Sequence, residues 1–284
     1  MAWVAALAAA CWPSLHRLLR YSLANDDASH ILLIPIICAW LVFLDSKRIL
    51  RNVTYSSTLG TPFFVAGLFF YFWSWRLAPG SANSAFALAM VLGLIAGFAF
   101  GFGGQALRAA RFPLSFLFLS VPLPEVFLNK VIYILQKGSA DLSEVFFMFT
   151  RIPVLRDGFV FQLPRFSIEV ARECSGIRSS IALLVLALLA GHFFLRSFWR
   201  QVIFVFAGFV VMIVKNGIRI VTLTALANYV DPGFLYGDLH HEGGVVFFLI
   251  GLALLWPVML ILRKSEARNA IRTSESEIPA SAPS

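Results

Sequence analysis

Apolar stretches of roughly the length a bilayer demands, about 20 residues each, recur along nearly the whole chain. They fall near residues 2–19, 30–45, 60–76, 84–103, 112–128, 179–195, 198–214 and 245–262, with short polar punctuation between them. Only 13% of the residues are charged and 59% are hydrophobic, against roughly 25% charged in ordinary soluble domains. A soluble fold has nowhere to hide that much apolar surface. The pattern predicts an all-α membrane protein, a polytopic bundle of about eight transmembrane helices. The simplest division is one membrane-embedded domain, residues 1–262, followed by a polar, Ser-rich tail at 263–284 that is expected to be disordered and cytoplasmic. The first run is short and lacks a basic leader, so it reads as a retained helix. The second is short unless Ala28 to His30 continue it. The fifth carries Pro122 and Pro124, where it is expected to end or bend.

Two segments break the pattern. The first is an insertion at 129–178. Its opening, VIYILQKGSADLSEVFFMF, mixes apolar and polar residues as an interfacial amphipathic helix does. Its continuation, PVLRDGFVFQLPRFSIEVA, reads as a β-hairpin turning at Asp157-Gly158, with a second turn near Pro164. The second segment is Lys215 to Gly244, where charges and two histidines interrupt apolar sequence. Loop charge orients the chain. With both termini cytoplasmic, basic residues gather in the inner loops at Lys47 to Arg51, Arg108 to Arg111, Arg196 to Arg200 and Arg263 to Arg272, and the long insertion carries most of the outer ones. The positive-inside rule favours this arrangement, although Arg17 and Arg20 then lie outside. The chain is thus expected to be a multi-pass protein of the cytoplasmic (inner) membrane, with both exceptional segments on the extracytoplasmic side.

The net charge of +8 comes from 23 Lys and Arg scattered between the spans. They form no compact basic patch, so nucleic acid is not an expected partner. Cys11, Cys38 and Cys174 form no close pair and no CxxC, which argues against a disulfide framework or a zinc cluster. No metal and no cofactor is expected.

Three clusters carry chemistry. In IEVARECSGIRSSIALLVLALL, a strand-like stretch passes through a Cys-Ser-Gly turn into the sixth apolar run, which puts Cys174 at a helix N-terminus. Unpaired N–H groups and the helix dipole there stabilise a thiolate or an oxyanion, and Arg178 adds positive charge four residues on. Cys11 and Cys38, by contrast, suit small buried hydrophobes. In KNGIRIVTLTALANYV, an i,i+3 spacing places Asn216 and Arg219 on one helical face. Arg219 offers a fixed fork of donors for a carbonyl or a developing negative charge, whereas Lys215 reads as a snorkelling interfacial anchor. In DPGFLYGDLHHEGGVVFFLIGL, His240 and His241 precede a Gly-Gly pair, with Glu242 or Asp238 available to orient a ring. His-His-Glu in direct succession is not a metal-ligand spacing. His16, His30 and His192 read as packing histidines, though His30 beside Asp26 and Asp27 falls on the same side as the other clusters. Thiol, guanidinium and imidazole together make a complete set for acyl transfer.

These motifs resemble the exosortase/archaeosortase family of membrane-embedded transpeptidases. The likeness rests on ECSGIRSS at 173–180, NGIRI at 216–220 and HHEGGVVFF at 240–248, in the family's order, with SHILLIP at 29–35 and FPLSFLFLSVPLP at 112–124. It spans roughly residues 20 to 262. SHILLIP lacks the Gly that often follows its His. The resemblance implies a catalytic Cys, Arg and His at Cys174, Arg219 and His240, the last chosen because His240 to Gly244 has the family's spacing. His241 with Glu242 serves almost as well. Arg178, Asn216, Glu173 and His30 are then supporting residues. The implied substrates are exported proteins ending in a short motif, a transmembrane helix and a basic cluster, as in PEP-CTERM proteins, with membrane lipid as a further partner.

Two rival functions remain. A transporter would use Arg219 and His240 in a midplane cavity, and would be expected to show an internal repeat and polar residues spread over several spans, neither of which is evident. A non-catalytic component of exopolysaccharide assembly would need no reactive thiol.

Overall fold

The computed structural model describes residues 3, 7, 9, 11–25, 28, 30–51, 53–170, 177–235 and 244–276. They fall into two compact units, Met1–Asn129 and Lys130–Ser284.

In the first unit, α1 (Trp12–Ala24) starts at a proline in its first turn. It buries Leu18 and Ser22 while His16, Arg17 and Arg20 stay exposed, so it is amphipathic where the sequence suggested the end of an apolar span. α2 (His30–Leu44) stops at Asp45, and a short α3 (Ser46–Ile49) follows. α4 (Ser57–Ser74) and α5 (Pro79–Ala109) form an antiparallel pair joined by a short loop. α5 is much longer than its apolar run at 84–103. The preceding Pro-Gly-Ser-Ala-Asn residues stay helical, while at Gly103, whose φ is +78°, the backbone leaves helical geometry and a second helical stretch follows across a kink. Only glycine is at ease in that conformation, and a Cβ there would run into the Thr54 carbonyl. α6 (Arg111–Phe116) tightens into a 3-10 turn, Leu117–Ser120. The chain is then non-helical over 121–124, where Pro122 and Pro124 lack the N–H groups a helix needs, as the sequence led one to expect.

α7 (Glu125–Phe147) runs on into the second unit. It buries Ile132, Leu135, Ser139, Ser143 and Phe147 at steps of three and four, the one-sided stripe of an amphipathic helix. β1 (Leu155–Asp157), β2 (Val160–Gln162) and β3 (Ser167–Glu169) make an antiparallel sheet in sequence order. Asp157 pairs with Val160, so the expected hairpin is present with Gly158 (φ +60°) and Phe159 at its tip. The second turn closes around Pro164 through Leu163 N–H to the Phe166 carbonyl, 2.9 Å. Phe161, fully buried, packs with Phe147, Ile152, Val170 and Ile220. Arg156 ties the hairpin to α7 through Asp141 and Glu144, both at 2.7 Å. Burial alone would lower its pKa, but these two carboxylates outweigh that and raise it.

Three helices complete the unit: α8 (Ile177–Phe194), α9 (Phe198–Tyr229) and α10 (Gly244–Ser276). The tail expected to be disordered from residue 263 is instead helical through Ser276. Glu266 explains part of this, accepting the backbone N–H groups of Arg196 and Ser197 and pairing with Arg200 at 3.2 Å.

By length and composition, three described helices can each cross a bilayer, namely Pro79–Ala109, Phe198–Tyr229 and Gly244–Asn269. The broken pair Arg111–Ser120 with Glu125–Phe147 would make a fourth, and His30–Leu44, Thr58–Ser74 and Ser179–Phe194 are shorter apolar helices. That is fewer long spans than the eight the runs suggested. Asp45 and the loops at 75–78 and 195–197 end several runs near the lower limit for crossing hydrocarbon, about 17 residues.

Candidate active site

α9 carries Arg200 and Gln201 in its first turn, is apolar from Val202 to Val214, and then carries Lys215, Asn216 and Arg219 without ceasing to be helical. These side chains reach three neighbouring helices, α7, α8 and α10. Lys215 is 1% exposed, and its Nζ donates to Ser179 Oγ in the first turn of α8 at 2.6 Å. The sequence reading of Lys215 as a snorkelling anchor is therefore wrong. Its stem passes Gly251 of α10, where a Cβ would stand 3.4 Å from Lys215 Cδ, so the chain is enclosed before it can reach an interface. Asn216, also 1% exposed, donates from Nδ2 to Ser139 Oγ of α7 at 3.0 Å, and its buried Oδ1 has no hydrogen-bond partner among the described residues. Arg219 is half-buried and lies over the Phe247 ring of α10, 6.0 Å from the centroid. The helical register of Asn216 and Arg219 is as expected. Their surroundings differ, one turned to α7 and the other to α10.

Two helix beginnings thus meet one stretch of α9: α8 at Ser179, and α10 at Phe247. Ser180 of α8 is also buried, its Oγ without a partner among the described residues. Upstream of α8, the end of β3 is held to α7 by Gln136 Nε2 to the Val170 carbonyl, 2.8 Å. The strand-to-helix order read around Cys174 is therefore present, with β3 ending before it and α8 beginning after it.

Cys174, Glu173, His240, His241 and Glu242 themselves lie outside the described residues, as does the side chain of Arg178.

Residues 22–257 match the family model described as Transmembrane exosortase. The chain belongs to the transmembrane exosortase family. The matched span covers every cluster singled out from the sequence and nearly the interval of the resemblance, residues 20 to 262. No curated protein and no solved structure is matched. In this exosortase, α9 touches the first turn of α8 through Lys215 and the first turn of α10 through Arg219.

The remaining expected residues are placed plainly. His30 opens α2 in the first unit, whereas Arg219 belongs to the second. Cys11 and Cys38 are buried, in keeping with a packing role, and the His192 ring lies tilted against Phe193, 5.6 Å between centroids. Among the described residues no three His, Cys, Asp or Glu side chains gather as a metal site would require. Sequence reasoning missed Lys215 and Ser179. The only available signal was a lysine directly before Asn216 inside an apolar run, which is ambiguous because an interfacial lysine looks the same.

Proposed function

We propose that this exosortase-family chain is a membrane cysteine peptidase and transpeptidase that processes C-terminal sorting signals of exported proteins at the extracytoplasmic face. Its substrates carry a short motif, a transmembrane helix and a basic cluster, and the helix docks in the bilayer beside the enzyme. Cys174 attacks the scissile carbonyl as a thiolate, forming a tetrahedral oxyanion that Arg219 stabilises with its donors. His240 protonates the departing amine as the C–N bond breaks, leaving a thioester on Cys174. An amine, a lipid headgroup or water then resolves the acyl-enzyme, with His240 accepting the proton. Arg178, Glu173, Asn216, His241 and Glu242 support this set. The single observation that carries the reading is the meeting of the α8 and α10 starts on the Lys215 to Arg219 turns of α9. Co-expression with an exported protein bearing such a tail tests it, the expected result being loss of the tail.

The doubled histidine yields its own prediction. His240→Ala is expected to slow processing by a general acid's contribution, about 10²–10⁴-fold, while His241→Ala costs far less. Pulse-labelling of the tailed substrate measures both. A reversal of the two would move the acid to His241.

In this reading the three shorter apolar helices, the broken pair and the helical residues before and within α1 join the three long spans to complete about eight crossings. Both termini are cytoplasmic and the membrane is the inner one. Reporter fusions after Lys47, Arg108, Arg196 and Lys264 are expected to report cytoplasm, and fusions near Gly80, Gly158 and Gly237 the opposite side. A cytoplasmic report at Gly158 would put the sheet, and the segment that follows it, in the wrong compartment for substrates held in the membrane during export.

A further inference from the structure

A buried ammonium is expensive. Taking it out of water costs several kcal/mol that one neutral partner does not return, and in membrane helices such a group by default marks function. Lys215 is such a case. It is 1% exposed, its hydrogen bond is to the hydroxyl of Ser179, and among the described residues no carboxylate lies within ion-pair distance of it. A second cation, Arg219, follows one turn on along the same helix, an i,i+4 pairing of like charges that opposes stability further. For packing alone, a methionine in the slot between α8 and Gly251 of α10 would serve better. What Lys215 does contact is specific: the first helical turn after the segment bearing Cys174.

Resting on the cysteine reading above, we infer that Lys215 is a positioning residue for the reaction, its hydrogen bond to Ser179 fixing the start of α8 so that the Cys174 segment is held in register with Arg219 on the same α9 turns. The bond joins residues 36 apart in sequence, and it links the helix that carries the oxyanion donor to the helix that follows the nucleophile. Reactive groups brought together from separate elements lose rate steeply when their geometry slackens, about 10²-fold for a misplacement near 1 Å. One short charge-assisted hydrogen bond between two helices is the kind of contact that prevents such slack.

The test uses the full chain in membranes, with a tailed exported protein co-expressed as the probe, and compares Lys215→Met, Ser179→Ala, the double variant and Cys174→Ala. Methionine keeps the buried stem and removes the charge. Lys215→Met is expected to lower processing by about 10–100-fold while the purified protein melts at the same temperature or higher. Ser179→Ala should cause a comparable loss, and the double variant should add little to either, as two ends of one contact do. A lower melting temperature, with processing reduced only in proportion to folded protein, would make Lys215 a structural strut and overturn the inference. So would additive losses in the double variant, or Lys215→Met at wild-type rate beside an inactive Cys174→Ala. A Cys174→Ala variant that still processes substrate would instead remove the cysteine reading, and this inference with it.

Discussion

Cys174→Ala is expected to leave the co-expressed substrate with its tail intact, a loss of order 10⁴-fold or more, while the protein still accumulates in the membrane at its usual level. The size of the effect follows from covalent catalysis, because without a nucleophile there is no acyl-enzyme and the remaining groups assist only direct attack by water. Accumulation is expected to persist because the change removes one sulfur from a segment between a strand held by Gln136 and a helix held by Lys215, anchors that the substitution leaves in place. Loss of tail cleavage together with loss of the protein would not count as support. Retained cleavage near the wild-type rate would exclude a thiol nucleophile and favour an assembly or transport role. A membrane-impermeant thiol reagent gives an independent reading, since Cys11 and Cys38 are buried and Cys174 is the thiol expected to react from outside.

Arg219→Ala is expected to cost about 10²–10³-fold, the loss usual for one oxyanion donor, again with the protein retained. Arg219→Lys discriminates between roles. A lysine restores charge but neither the planar fork nor the stacking over Phe247, so it should recover only part of the rate. Full recovery would mean that charge alone matters and would weaken the assignment of directed hydrogen bonds to the oxyanion. Phe247→Leu removes the ring beneath the guanidinium and is expected to cost less than Arg219→Ala, because it loosens the donor without deleting it.

Much of the fold was legible because its signals are local. The apolar runs announced helices, although α5, α9 and α10 extend well past them. Apolarity marks where a helix meets lipid or core, not where its backbone stops bonding. Asp157-Gly158 announced a turn, and the hairpin is there because glycine accepts φ +60° at its tip. Pro122 and Pro124 announced a break, and the helix fails over 121–124. The tail misled because its Ser-rich composition says nothing of Glu266, whose partners at Arg196 and Ser197 are 70 and 69 residues away.

What the sequence determined by itself is therefore a membrane protein of apolar helices, a small sheet before the sixth run, and a polar interruption after the seventh, all set by periodicity, turn chemistry and side-chain type within a few residues. Only the tertiary structure decided that Lys215 is enclosed rather than snorkelling, that it reaches the turn after the cysteine segment, and that Asn216 and Arg219 face different helices. Those outcomes depend on which helix lies across from which. Ser139 is 77 residues from Asn216 and Ser179 is 36 from Lys215, and no local pattern encodes a contact at such separations. Burial is likewise a property of the packed bundle, so the same lysine codon-for-codon would read as an anchor on the rim of one helix and as an internal tether in the middle of another.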